Sequence, residues 1–182
     1  MPNIFEAVSN VVKTFVEGEP KTPLHVGEVM HCWTYITALQ ESIAYEEVGI
    51  NTTTDNELKK VLLEAKKMCE SQAERLRRFM QEEGVPLPEG SSAKPKSDPD
   101  AVPLGVRLSD EELVNGVSLK VASAIVACAT GQSQSIRNDT GLIWLEFQAE
   151  QLTFGTNLKN LMRKRGWIKM PPPYCPPGVP KQ

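Results

Sequence analysis

The sequence predicts an all-α fold, a four-helix bundle made of two antiparallel hairpins. Three observations predict it. Apolar residues recur at the spacing of a helical turn along four long segments. Three of these segments are introduced by residue patterns that cap helices, and a proline-rich stretch too polar to build a core separates the first pair from the second.

A short helix precedes the bundle. Asn3 with Glu6 three residues on reads as a capping box, Ile4, Val8, Val11, Val12 and Phe15 form one apolar stripe, and Gly18 and Pro20 end it. Residues 1–20 are thus expected to form an amphipathic N-terminal helix. Thr22 and Pro23 suit an N-cap and a first helical position, because a helix start has no use for the amide that proline lacks. The first long helix is placed at about 23–50, with Val26, Val29, Met30, Trp33, Ile36, Thr37, Ile43 and Ala44 facing inward.

Thr54 with Glu57 predicts the start of a second helix over 54–83, whose inner stripe is Leu58, Val61, Leu62, Ala65, Met68, Cys69, Leu76, Phe79 and Met80. Its outer face alternates charge and reads as solvated surface. Residues 85–108 contain five prolines, two glycines and three serines, a composition that suits a crossover loop. Ser109 with Glu112 opens a third helix over 109–132 through Leu113, Val117, Val121, Ala124, Ile125 and Cys128. The fourth, over 138–165 and capped by Asn138 or a near neighbour, carries Leu142, Leu145, Phe147, Leu152, Phe154, Leu158, Leu161 and Met162. Arg163, Lys164 and Arg165 favour the dipole of its last turn, and Gly166 with Trp167 marks a left-handed stop. The bundle is bounded at 22–167. A tail of 168–182, with six prolines from Met170 onward, is expected to lie as an extended strap over it.

The chain has 182 residues, enough for one ordinary domain, and a net charge of −3, which directs it toward neither nucleic acid nor anionic membrane. Cys32, Cys69, Cys128 and Cys175 stand far apart, as reduced and mostly buried thiols do. Glu6, Lys13 and Glu17 interrupt the first apolar positions, so the expected location is cytoplasmic, with no membrane partner.

Bundles with a long crossover can house two metal ions, held by a Glu from each of two helices and a Glu-x-x-His from each of the others. Here the only histidines are His25 and His31, and the third helix has no Asp, Glu or His between Leu113 and Gln134. No metal is therefore expected. His25, Glu28 and His31 remain the candidates for a single zinc, although their spacing spreads them over roughly 120° of helix surface. Gln40, Gln72 and Glu150 are polar residues falling on apolar stripes, and they are expected to meet as a buried polar layer that fixes register or, alternatively, marks a ligand site. Glu150 should have a raised pKa there unless an Arg or an amide satisfies it. No catalytic set emerges. Cys128 shares its helix with no acid or base, and Arg75, Arg77 and Arg78 lack the interleaved aromatics that stack bases.

The stretch from Arg137 through Leu161 and Met162 to Arg165, Gly166, Trp167, Ile168, Lys169, Met170, Pro171, Pro172, Pro173 and Tyr174 resembles the C-terminal end of domain-of-unknown-function family 3231 of spore-forming bacteria. Glu28 followed by Trp33 resembles that family's helix opening, and Glu83, Gly84, Val85, Pro86, Leu87 and Pro88 resemble its loop after the second helix. The similarity spans about Leu24 to Tyr174. It implies a ferritin-like bundle related to spore coat proteins of the coat protein F type, without an established activity and without catalytic residues to carry over. It also implies a histidine near the position of Gln72, where this chain has none. The expected function is a non-enzymatic structural or interaction protein, associated with the spore or its coat and dimeric through the N-terminal stripe or assembled as a coat protein is. The alternative is a ferritin-like protein that binds iron, manganese, zinc or a small ligand and has redox activity.

Overall fold

A computed structural model describes residues 21–174, 176 and 177, together with 3, 6, 9, 10 and 13. The elements are α1 (Val26–Thr52), α2 (Asn56–Glu82), a 3-10 turn (Pro99–Ala101), α3 (Asp110–Gln134) and α4 (Asn138–Arg165). No strand occurs among the described residues. Each long helix spans roughly 40 Å.

α1 pairs with α2 and α3 with α4 as tight hairpins, and the hairpins meet along α1 with α3 and along α2 with α4. His31 near the start of α1 bonds Ala127 late in α3, whereas Tyr45 lies against Leu113 at the start of α3, so those two helices run antiparallel. The chain from Glu83 to Ser109 must therefore travel the length of the bundle. It does so along α1, where Glu47 accepts from Lys94 N at 2.7 Å and Asn51 donates to the Pro95 carbonyl at 2.9 Å.

The core divides into two clusters. One gathers Ile36, Leu76, Met80, Trp144 and Phe147 near the end where α2 stops; the other gathers Leu58, Leu62, Leu113, Val117 and Leu158 near the end where α3 starts. An arginine clasps each end. Arg137 uses all five of its N–H donors on Glu83, Asp139 and the Thr22 carbonyl, at 2.6–3.1 Å. At the other end Arg165 reaches Asp55 and Glu57, both at 2.9 Å.

Local starts and faces depart from the sequence expectations in several places. α1 begins at Val26, not at Pro23, because the His25 ring rather than the Thr22 hydroxyl caps it: Nδ1 accepts from Gly27 N and Glu28 N, and Glu28 reaches back to His25 N. α2 is capped by Asp55, whose Oδ1 takes Glu57 N and Leu58 N at 2.9 Å each, rather than by Thr54. At α4 the N-cap is Arg137, which makes no side-chain cap bond. The inner face of α1 is turned from the expected one. Glu28, Cys32, Tyr35, Ile36, Leu39, Glu46 and Gly49 are buried, while Val26, Met30 and Trp33 are exposed. α1 is apolar on most of its circumference, so periodicity alone could not choose its face.

Asn3 and Glu6 exchange the two hydrogen bonds of a capping box, and residues 6, 9, 10 and 13 are helical. The stripe of Ile4, Val8, Val11, Val12 and Phe15 lies outside the described residues, as does Cys175. Gly166 adopts φ 70°, and Trp167 N bonds the Met162 carbonyl at 2.9 Å, closing the left-handed stop. Trp167 and Ile168 pack on the second cluster, but Met170 to Tyr174 are exposed, so the described part of the tail is not the expected strap.

Candidate functional site

The two core clusters meet at a polar centre to which all four helices contribute. Gln72 on α2 is fully buried, and every polar valence of its amide is used. Its oxygen accepts from Tyr35 Oη on α1 and from Gln151 Nε2 on α4, both at 3.1 Å. Its nitrogen donates to Glu150 Oε2 at 2.8 Å and to the Phe147 carbonyl at 3.4 Å. Cys128 Sγ on α3 lies 3.3 Å from Tyr35 Oη and closes the circuit.

Arg75 holds the outer edge of this centre. Its Nη2 meets both oxygens of Glu150 at 2.6 Å, and its guanidinium lies 4.7 Å over the Phe147 ring. Glu150 is thus served by an Arg and an amide, and with its side chain 37% exposed it stands at the rim of the centre rather than in the buried layer expected of it. Of the expected triad, Gln72 and Glu150 meet, but Gln40 does not join them. It lies one helical step from the core face of α1, against Gly90 of the crossover. Tyr35 and Gln151 take the places that sequence reasoning did not fill. Gln151 falls beside Glu150 in sequence and about 100° around the helix, so one of the two had to face inward.

The His25, Glu28 and His31 row does not converge. His25 is spent on the N-cap. Glu28, almost fully buried, gives Oε1 to the backbone amides of Ile136 and Arg137 at 3.0 and 3.1 Å, and so secures the entry to α4 from the helix diagonal to it. His31 turns inward, with Nε2 donating to the Ala127 carbonyl at 2.9 Å and the ring edge-on to Trp144 at 4.7 Å. Burial holds its pKa below the ordinary histidine value, with the Ala127 bond opposing that shift. Gly131 makes the approach possible, since a Cβ there would sit 2.6 Å from His31 Nε2 and 2.8 Å from Trp144.

The ferritin-like arrangement raises the question of a metal pair, and the donors at the centre do not fit one. Gln72 and Gln151 are amides committed to each other, and Glu150 is neutralised by Arg75. Among the described residues no three His, Cys, Asp or Glu side chains come close enough to share an ion. Cys32, Cys69 and Cys128 are buried free thiols. Desolvation raises Cys32 to about 12, with the nearby Glu28 adding to the effect, and raises Cys128 to about 11. Such thiols are poor nucleophiles.

One buried acid has no expected counterpart. Glu46 on α1 is 2% exposed, and its pKa is raised to about 7, chiefly by desolvation and against the pull of Lys120. It lies seven residues after Leu39 and three before Gly49, on the face that periodicity did not select. α3 is by length and composition apolar enough to cross a membrane, yet one side of it packs on α1 and α4, leaving Leu119 and Val126 exposed on the other.

Comparison with known proteins agrees with this architecture. The profile described as "Protein of unknown function (DUF3231)" matches residues 15–178. An uncharacterised protein of Bacillus subtilis strain 168, YvdQ, is 29% identical over 159 residues, covering 87% of this chain and 93% of its own. A crystal structure from Bacillus halodurans C-125, provisionally described as a spore coat protein, superposes with TM-score 0.83 at 32% identity, over 85% of this chain and 97% of that one. A two-domain protein of Anabaena variabilis, with DJ-1/ThiJ/PfpI-like and ferritin-like domains, aligns at TM-score 0.61 and 15% identity over 84% of this chain and 41% of its own, a likeness of fold alone.

Proposed function

The chain belongs to the DUF3231 family, and from that premise we propose that it is a non-enzymatic structural or interaction protein associated with the spore or its coat. The observation that carries this reading is the centre of the bundle. Tyr35, Gln72, Gln151, Glu150 and Arg75 bond one another across three helices, and Cys128 of the fourth adds its thiol to Tyr35, which makes a rigid block with no convergent set of metal-binding donors among the described residues. The likeness to the Bacillus halodurans protein supports the spore association.

Exposed Met30 and Trp33 on α1 and Leu119 and Val126 on α3 favour self-association over an isolated monomer. Fractionation of sporulating Bacillus cells expressing the epitope-tagged chain tests the location, with recovery in the coat extract expected. Recovery only from the soluble fraction of growing cells, together with stoichiometric iron, manganese or zinc by elemental analysis, would overturn the proposal in favour of a metal-binding redox protein. Sedimentation of the purified chain, with and without residues 1–20, tests dimerisation through the N-terminal segment; a monomer in both cases refutes it.

A further inference from the structure

Next to the paired polar centre lies space that the core does not fill. A cavity of about 400 Å³ runs between the helices, walled by Leu39, Ala65, Val121 and Phe154 and reaching the surface between Ala38 on α1 and Leu119 on α3. A dry apolar hole of about 150 Å³ already accepts benzene, and small-molecule sites begin near 300 Å³.

Glu46 lines this cavity, and its carboxyl is poorly served by the protein. Oε1 has the Cys69 thiol at 3.9 Å, and Oε2, fully buried, has no hydrogen-bond partner. A carboxyl out of water without a donor is costly, so an unused acceptor on a side chain that lines an apolar cavity points to a group that arrives from outside. The opposite charge that acts most strongly on it is Lys120 on α3, which also lines the cavity. Its Nζ stays on the carbonyls of Glu41 and Ser42 at 3.4 and 3.2 Å, 4.2 Å over the Tyr45 ring. Its charge disfavours a cationic visitor, and one carboxyl beside one thiol is too few donors for a metal.

We propose that this cavity binds a neutral, mostly apolar hydroxylated molecule, a phenol or compact alcohol of about ten heavy atoms, whose O–H donates to the Glu46 carboxylate as that side chain turns its unpaired oxygen into the cavity. The apolar walls supply affinity, and the buried acceptor supplies selection for the hydroxyl, because a ligand without a donor leaves the carboxyl as poorly served as before. The proposal is independent of where in the cell the protein acts.

The test uses the full chain at pH 8, titrated with 2-naphthol and with naphthalene, which has the same body without the donor. Saturable binding of one naphthol per chain is expected, about tenfold tighter than naphthalene, the effect of one hydrogen bond to a charged group. Glu46→Met should retain naphthalene binding and lose the tenfold preference. Val121→Phe, which fills the cavity, should abolish binding of both ligands while circular dichroism remains that of the native bundle. The proposal is overturned by a native chain that binds neither ligand, by a hydroxyl preference that survives Glu46→Met, or by naphthol binding unaffected by Val121→Phe.

Discussion

Replacing Arg137 by leucine removes the clasp that ties the end of α2 to the start of α4. In the native chain Arg137 is 6% exposed and its guanidinium spends five donors, four on the carboxylates of Glu83 and Asp139 and one on the Thr22 carbonyl. Leucine fills part of the volume but leaves two carboxylates facing each other. Breaking one side of a buried pair costs about 3–5 kcal/mol, and the 36% exposure of the Asp139 side chain, where water screens, lowers this to roughly 2–4 kcal/mol. For a chain of this size that is a fall in Tm of about 4–16 °C. Arg137→Lys keeps the charge but not the fork, so it should fall between leucine and the native residue. The arginine holds both acids below the ordinary carboxylate range. A depressed acid pKa stabilises above the unfolded value and ceases to do so as pH falls through the folded one, so the gap between native and leucine variants should close in acid, below about pH 4. Urea unfolding at neutral and acid pH measures this. A gap under about 1 kcal/mol at pH 7, or one that widens in acid, would refute the reasoning.

Other substitutions follow from the same geometry. Gln72→Leu strands the Tyr35 hydroxyl and the Gln151 amide, and chemical denaturation should show a loss of about 2–4 kcal/mol. For Glu46 the folded pKa is raised, so stability is lost as pH climbs from about 4.5 to about 7; Glu46→Gln should flatten the stability profile in that window and be no less stable than the native chain at pH 8. A Cβ on Gly116 would overlap the hydroxyl of the half-exposed Tyr45 ring, so Gly116→Ala must turn that ring aside, a cost offset by the roughly 1 kcal/mol that alanine gains over glycine in a helix. In a double-mutant cycle the alanine should therefore be more stabilising beside Tyr45→Leu than beside the native tyrosine. The thiols of Cys32, Cys69 and Cys128 should resist a thiol-specific reagent in buffer and react together once urea unfolds the bundle.

How much could be read beforehand differed from helix to helix. α2 is strongly two-faced, and the residues predicted to line its inner side, from Leu58 to Met80, are nearly those it buries. α1 misled because its inward residues include Glu28, Tyr35 and Glu46, whose partners belong to other elements: the amides of Ile136 and Arg137, the Gln72 carboxamide and the Cys69 thiol. No local pattern announces a carboxylate that caps a different helix. The same applies to Trp144, which is central to one core cluster but stands between Ile143 and Leu145, where any of the three could have faced inward. Gln72 and Glu150 were legible as polar interruptions of apolar stripes. Gln40 satisfied the same criterion and turned to the crossover, a segment whose course periodicity does not predict.

The crossover has one more consequence. It joins two hairpins that are each closed by a short local turn; Val85 and Leu87 at its start pack on the first core cluster, and beyond them it holds to α1 through polar bonds at its edge. A protease cut near Ser92 would therefore sever the chain without dismantling either half, and the two pieces, produced separately, should find each other and rebuild the intact fold. The same economy permits two molecules to trade hairpins, which would turn a contact between copies into a linkage without any new surface.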